Sequence, residues 1–449
     1  MSCNIASAVQ RIKQNVAAAL SEQAIEQACR QAGHRWRNRE LGPAKTIWAF
    51  LLQVLHGNTA CQHVVRIARL TCSATAYCRA RARIPLAAYE QLLAQTTQAA
   101  RSGTPAPLWH GHRTFVIDGT GISMPDTEAL RTHFGSPGQQ AVGCSFPVAH
   151  LLAMFDSGTG LLLKSWTGPL RSHDLSGVAK LHPALQADDV LVGDTAFASY
   201  AHLATLSQQK LYGVFRMHQR QLVSFRADRR LTGKQPKGTK ATHASSRLIR
   251  KLGRFDQIVE YQCGPQKPKW LNAEEWHSLP ATLRVRELRY WTKQPGFRPR
   301  AITLVTTLLA AERYSLEELA DLYGRRWGVE TNFAHFKTTM QMDVLRCETV
   351  AGVQKELLIF ALVYNLIRLV MLAAAEKQGV SVARVSFIDA MRWLDEACTH
   401  YPLLELTINP DRHGRCEPRV KKRRGKEYTL MTLPRDELRQ QLMDKKVAS

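Results

Sequence analysis

The chain has 449 residues, too many for one ordinary domain, and its 45% hydrophobic and 22% charged residues are the proportions of a protein with a real core. A wholly disordered chain, a collagen-like fibre and a disulfide-stapled miniprotein are excluded. Lys and Arg number 61 against 37 Asp and Glu, a formal charge of +24; an excess of that size points to a polyanionic partner, most often nucleic acid.

Residues 1–105 read as helical, rich in Ala, Leu, Gln and Arg and poor in Gly and Pro. Ser73 is placed to cap a helix over Ala74–Arg83. The arginines here (Arg35, Arg37, Arg39, Arg66, Arg69, Arg79, Arg81, Arg83, with Lys45) suit a small DNA-binding bundle and equally an ordinary solvated face. A Gly/Pro loop at Ser102–Pro107 closes the region.

The texture then becomes mixed α/β. Phe115–Ile117 is a short apolar strand ending in Asp118-Gly119, and Pro147–Phe155 with Leu161–Trp166 flank a turn at Asp156–Gly160, the pattern of a hairpin. Val190–Val192 is a buried strand ending in Gly193-Asp194; a helix over Ser199–Gln208 and a strand over Leu211–Phe215 follow. Residues 216–254 carry twelve Lys or Arg against the single acid Asp228, and strands are predicted at Phe255–Cys263, Leu283–Trp291 and Ala301–Leu309. Residues 216–299 thus read as a basic, β-rich insertion.

Ser315 and Glu318 form a capping box that opens a long helix to about Met340. Leu357–Ala375 approaches the length of a membrane span, but Asn365 and Arg368 near its middle favour a buried helix of a soluble core. The tail holds a basic run from Arg412 to Lys426, suited to phosphate contact. The ten cysteines form no Cys-x-x-Cys and no zinc-finger spacing, which fits a reducing cytoplasm, and the N-terminus lacks the apolar core of a secretory signal.

Three acids stand out. Asp118 and Asp194 each follow a buried strand, where an acid can line a cleft but, taken alone, more often caps a turn or a helix. Glu330 lies in the predicted 315–340 helix with Tyr323, Arg326 and Lys337. At about 100° per residue these four fall within roughly 60° of one another, so they share one stripe, readable as a site or as a charged face. Converging carboxylates hold Mg²⁺, and two such ions activate an attacking oxygen and stabilise a leaving one in phosphodiester chemistry. Arg326 and Lys337 would hold phosphate oxygens.

The spacing Tyr323-x2-Arg326-x3-Glu330-x6-Lys337 resembles the signature of the DDE transposases of the insertion-sequence-four type. Ile117-Asp118-Gly119-Thr120 resembles the context of their first acid and Asp194-Thr195-Ala196-Phe197 that of their second, with Thr195-Ala196 a departure from the Arg-Gly often found there. The resemblance spans about residues 105–430. It implies a ribonuclease-H-like core in two parts (106–215 and 300–375), interrupted by the β-rich insertion (216–299), with a helical N-terminal DNA-binding domain (1–105) and a C-terminal helical, basic tail (376–449). It implies Asp118, Asp194 and Glu330 as ligands of two Mg²⁺ ions, with Mn²⁺ substituting, and Tyr323, Arg326 and Lys337 as DNA contacts. It makes the insertion's tryptophans Trp291, Trp270 and Trp276 DNA-binding candidates, Trp291 first, although core packing is the commoner role for any one of them. The implied activity is cleavage at element ends in double-stranded DNA and strand transfer into a target by a homodimer in the cytoplasm, associated with the nucleoid and not with a membrane. A metal-dependent nuclease that never joins strands, and a non-catalytic DNA-binding relative, are the competing functions.

Overall fold

The computed structural model describes the chain apart from residues 1–3, 38, 103–106, 138–142, 173, 219–220, 227–241, 244–245, 293–299, 397–405, 411–430, 432 and 448–449. The basic tail run therefore lies outside the described residues. The apolar runs form the first five strands: β1 (Thr114–Ser123), β2 (Val148–Asp156), β3 (Leu162–Pro169), β4 (Val190–Gly193) and β5 (Tyr212–Arg216). The short β6 (Gln221–Leu222) and β7 (Thr242–His243) pair with each other, and β8 (Ser246–Gly253), β9 (Asp256–Gln262), β10 (Thr282–Thr292) and β11 (Arg300–Thr306) complete the set.

Nine strands make one sheet in the order β3-β2-β1-β4-β5-β11-β10-β9-β8. β1, β2 and β3 are an antiparallel meander; β4 lies parallel to both β1 and β5; the rest of the sheet is antiparallel. β4 is buried at every position because helices cover both faces, so alternate side chains enter different cores. Val116, Val190, Val192 and Val214 face a core shared with the N-terminal helices and the helix Val350–Gln378. Phe115, Ile117, Leu191 and Phe215 face one shared with the helices Asp174–Val178 and Tyr200–Gln208.

Among the described residues Val350–Gln378 is the one helix long and apolar enough to cross a membrane, and 83% of its most apolar window is buried inside the protein. Its polar residues are engaged there. Asn365 donates to the Leu162 carbonyl (2.9 Å) and accepts from the Leu162 N–H (2.8 Å), while Arg368 donates to the Thr159 carbonyl (2.6 Å) and the Tyr364 hydroxyl to that of Gly160 (3.0 Å). The side chains that look out of place in an apolar run thus clamp the β2–β3 turn, whose backbone would otherwise lie buried without partners. The cysteines among the described residues are free.

Three expectations are corrected. Asp118 does not end its strand: β1 continues to Ser123, because β2 pairs with it from Phe115 through Ser123, and what ends near Asp118 is the parallel pairing with β4. The 315–340 helix is not continuous. Leu316–Gly324 and Trp327–Ala334 are separated by a tightened turn in which Arg326 N–H bonds to the Tyr323 carbonyl (3.1 Å), and a wider π turn occupies His335–Thr339. Gly324 is the weak link, a residue with no side chain to pack. Finally, β8 forms inside the basic stretch, where charges conceal any alternation.

Candidate active site

The parallel register pairs Phe115 with Leu191 and Val116 with Val192. Two residues beyond that pairing stand Asp118, on β1, and Asp194, just past the end of β4, so two distant acids arrive where the strands part, near enough for Asp194 to raise the Asp118 pKa. Asp118 uses one oxygen to accept its neighbour's Gly119 N–H (2.8 Å) and the other to accept from Arg326 Nη1 (3.1 Å). Asp194 caps the short turn Thr195–Phe197, accepting the Ala196 N–H at 2.9 Å; the cap reading of this residue and its place beside Asp118 hold together. Gly193 is required here, since a Cβ would stand 2.7 Å from the Phe197 ring and 3.1 Å from Ile117.

The broken helix brings the remaining residues. Arg326 is mostly buried and spans two acids, with Nη1 on Asp118 at 3.1 Å and Nη2 3.6 Å from Glu330. Tyr323 is buried behind it and hydrogen-bonds its side chain. Glu330 is exposed, its side chain 52% accessible. Lys337 donates to Thr120 Oγ1 at 3.1 Å, two residues beyond Asp118 on β1. The four residues therefore converge without sharing one exposed stripe: Tyr323 and Arg326 turn inward and Glu330 outward, as the helix break allows.

The electrostatics mark Asp118. Its carboxyl is pushed up to about 6, first by burial, with the Gly119 N–H and Arg326 opposing and the Asp194 and Asp174 carboxylates adding to the rise. Burial works against the Arg326 charge, yet Tyr323 and Asp118 hold its pKa above the ordinary value, while burial raises Tyr323. A raised carboxyl pKa beside a second acid at a strand junction marks a candidate functional site.

Two residues here were not singled out from the sequence. Asp174 and His150 approach to 2.7 Å and press on β1 at Gly119, where a Cβ would meet His150 at 2.8 Å and Asp174 at 2.9 Å. The only trace in the sequence is Gly119 itself, whose lack of a side chain makes room for them.

Of the three tryptophans, Trp291 is the exposed one (41%), with its ring against the edge of Phe255 at 4.6 Å. It lines a cleft of about 610 Å³ with Arg254, Arg289 and the start of the Leu316–Gly324 helix. Its neighbour Tyr290, pushed up by burial, feels both Tyr323 and Arg326. Trp270 and Trp276 are half-buried.

The family of the transposase DDE domain matches residues 109–366, more than half of the chain and all of the strands and helices that carry these acids. The chain belongs to the transposase DDE family. It is 26% identical over 379 residues to the transposase InsG of insertion sequence element IS4 from Escherichia coli K12, covering 79% of this chain and 77% of that one. It is also 30% identical over 139 residues to the putative transposase InsZ of the same organism, covering 30% of this chain and 46% of that one. The chain is thus an insertion-sequence transposase of the IS4 type, an enzyme acting on DNA. DDE domains work with divalent metal ions, and the donors present here are of the right kind. Asp118 and Asp194 offer hard oxygens, with Arg326 supplying positive charge between Asp118 and Glu330. Among the described residues no three acids, histidines or cysteines are already gathered at ligand distance. Glu330 is exposed at its side chain and faces Arg326 Nη2 at 3.6 Å.

Proposed function

We propose that Asp118, Asp194 and Glu330 are the catalytic acids of a ribonuclease-H-like core and that they hold two Mg²⁺ ions, or Mn²⁺, between them. The observation that carries this reading is the register that sets Asp118 beside Asp194 with Arg326 joining Asp118 to Glu330. The order β3-β2-β1-β4-β5, antiparallel then parallel, supports the fold. The ions supply activation of the attacking oxygen and stabilisation of the leaving one. The chain's own residues do the rest. Arg326, oriented by Tyr323, offers its guanidinium fork to the scissile phosphate once it leaves Asp118, and Lys337 places a point charge over Thr120 for the neighbouring phosphate.

The reaction is hydrolysis at the element ends, exposing a 3′-hydroxyl that attacks target DNA by transesterification with no covalent protein–DNA intermediate. The domain divisions are 1–105, 106–215, 216–299, 300–375 and 376–449. In the first of these, Arg35, Arg37, Arg39, Arg79 and Arg83 line a cleft of about 580 Å³ in which Glu40 is the one acid among the described lining residues and is already bonded to Thr71; it suits the phosphates of an element end. Trp291, exposed beside arginines, suits an unstacked base. The protein acts as a homodimer that pairs two ends and cuts in trans, in the cytoplasm on nucleoid DNA. Incubating it with Mg²⁺, duplexes carrying the inverted repeats that flank its gene, and a target plasmid should give joined product. Nicks without joining would make it a nuclease, and binding without nicks a non-catalytic relative.

A further inference from the structure

We propose that His182 and His202 are positioning residues for Asp194, forming a relay of two imidazoles locked in opposite tautomers. The inference rests on the reading of Asp194 as a metal-binding acid. His202 Nδ1 lies 2.8 Å from the Phe197 carbonyl oxygen, and a carbonyl only accepts, so Nδ1 carries the proton. Both rings are buried, His202 fully and His182 at 4% exposure. Burial pushes His202 down to about 3 and His182 to about 4, so both are neutral near pH 7. With Nδ1 protonated, His202 Nε2 has a lone pair, and the group facing it at 3.1 Å, His182 Nε2, must donate. The rings are parallel within 7° with centroids 5.2 Å apart. Two nitrogens at 3.1 Å with that centroid separation mean coplanar rings meeting edge to edge, the alignment in which N–H and lone pair point at each other. His182 Nδ1 is then an unprotonated acceptor, buried with no hydrogen-bond partner among the described residues.

The relay ends on the turn that holds Asp194. Phe197 closes the turn Thr195–Phe197, its N–H bonds to the Asp194 carbonyl (3.3 Å), and the Ala196 N–H fixes one Asp194 side-chain oxygen. The Phe197 ring is pinned over Gly193 and its carbonyl is pinned by His202. With both ends of the turn held, the Asp194 carboxylate has one orientation beside Asp118. Outer partners of this kind commonly change metal affinity about 10–100-fold.

Three substitutions separate positioning from packing. His202→Asn keeps a donor where Nδ1 stands, His202→Gln keeps a polar group only where Nε2 stands, and His202→Phe keeps ring volume alone. Manganese affinity, read by electron paramagnetic resonance of free Mn²⁺, should fall about tenfold in the Phe and Gln variants. The Asn variant, which keeps the bond to Phe197 and loses the one to His182, should fall between these and the native protein, with binding of end duplex equal in all. Nitrogen-15 spectra of the native protein's histidines should show His202 protonated at Nδ1 and His182 at Nε2. Matching tautomers, or native Mn²⁺ affinity in His202→Phe, would overturn the relay while leaving the acid assignment intact. Native Mn²⁺ affinity in Asp194→Asn would remove both.

Discussion

The inner and outer halves of the nine-stranded sheet are held together by different chemistry. Around β4 the strands are apolar on both faces, buried between two hydrophobic cores, and charged groups gather at the strand ends: Asp189, 2% exposed, pairs with Arg113 at one end, and Asp118 and Asp194 stand at the other, where parallel pairing stops. In the outer half, β8 to β11, charge goes inside. Arg286 is 1% exposed and grips Asp256 on β9 by two bonds of 2.8 and 2.5 Å, with a third to the Tyr314 carbonyl at 2.6 Å. Glu287, fully buried, accepts from Tyr261 and Gln257, both at 2.8 Å. In the inner half, then, the half-buried Asp118 keeps a raised pKa even beside Arg326, while Asp189 is fully paired; in the outer half Arg286 and Asp256 satisfy each other and Glu287 is met by neutral donors, all serving the framework.

That contrast can be broken at several points. Asp256→Ala strands a buried guanidinium and should destabilise the fold by about 3–5 kcal/mol in urea unfolding; a loss near zero would mean that the outer half does not depend on its ion pairs. Gly193→Ala drives a Cβ into the Phe197 ring and should cost about 1–3 kcal/mol, with a loss of cleavage larger than the loss of stability accounts for. Asp118→Asn should do the reverse. The folded carboxyl, near 6, binds its proton more tightly than an unfolded one near 3.8. Ionising it therefore opposes folding; the penalty is absent below pH 3.8, grows as pH rises through that window and is complete above 6. Without metal, Asp118→Asn should exceed the native stability by about 1–3 kcal/mol at pH 8, and thermal melting across pH 4–8 should show the gap closing on the acid side. Trp291→Ala should be the mildest: stability within about 0.5 kcal/mol and a drop of about 1 kcal/mol in affinity for end DNA with unpaired bases, read by fluorescence anisotropy.

The inner half was also the legible half. Phe115–Ile117 and Val190–Val192 read as strands because apolar runs have no other home, and the buried reading of Leu357–Ala375 followed from Asn365 and Arg368 alone. What they bind, the β2–β3 turn, was not legible, because those contacts join residues some two hundred apart. The continuation of β1 past Asp118 was hidden by its glycines, and β8 by its arginines. The helix break at Gly324 was concealed because the capping box and apolar spacing before it describe only the helix they start. Tyr323, Arg326, Glu330 and Lys337 were found by spacing, yet how they meet depends on that break. Asp174, His182 and His202 left no spacing at all; they act through neighbours that only folding supplies.

The central claim is that Asp118, Asp194 and Glu330 act as one unit on DNA. Its most direct test is single-turnover cleavage of a labelled end duplex in Mg²⁺ by Asp118→Asn, Asp194→Asn and Glu330→Gln, with duplex binding measured on the same samples. The account predicts native binding by all three and cleavage reduced at least about a thousandfold, about 4 kcal/mol of lost transition-state stabilisation. Cleavage at the native rate by any one of them would contradict it.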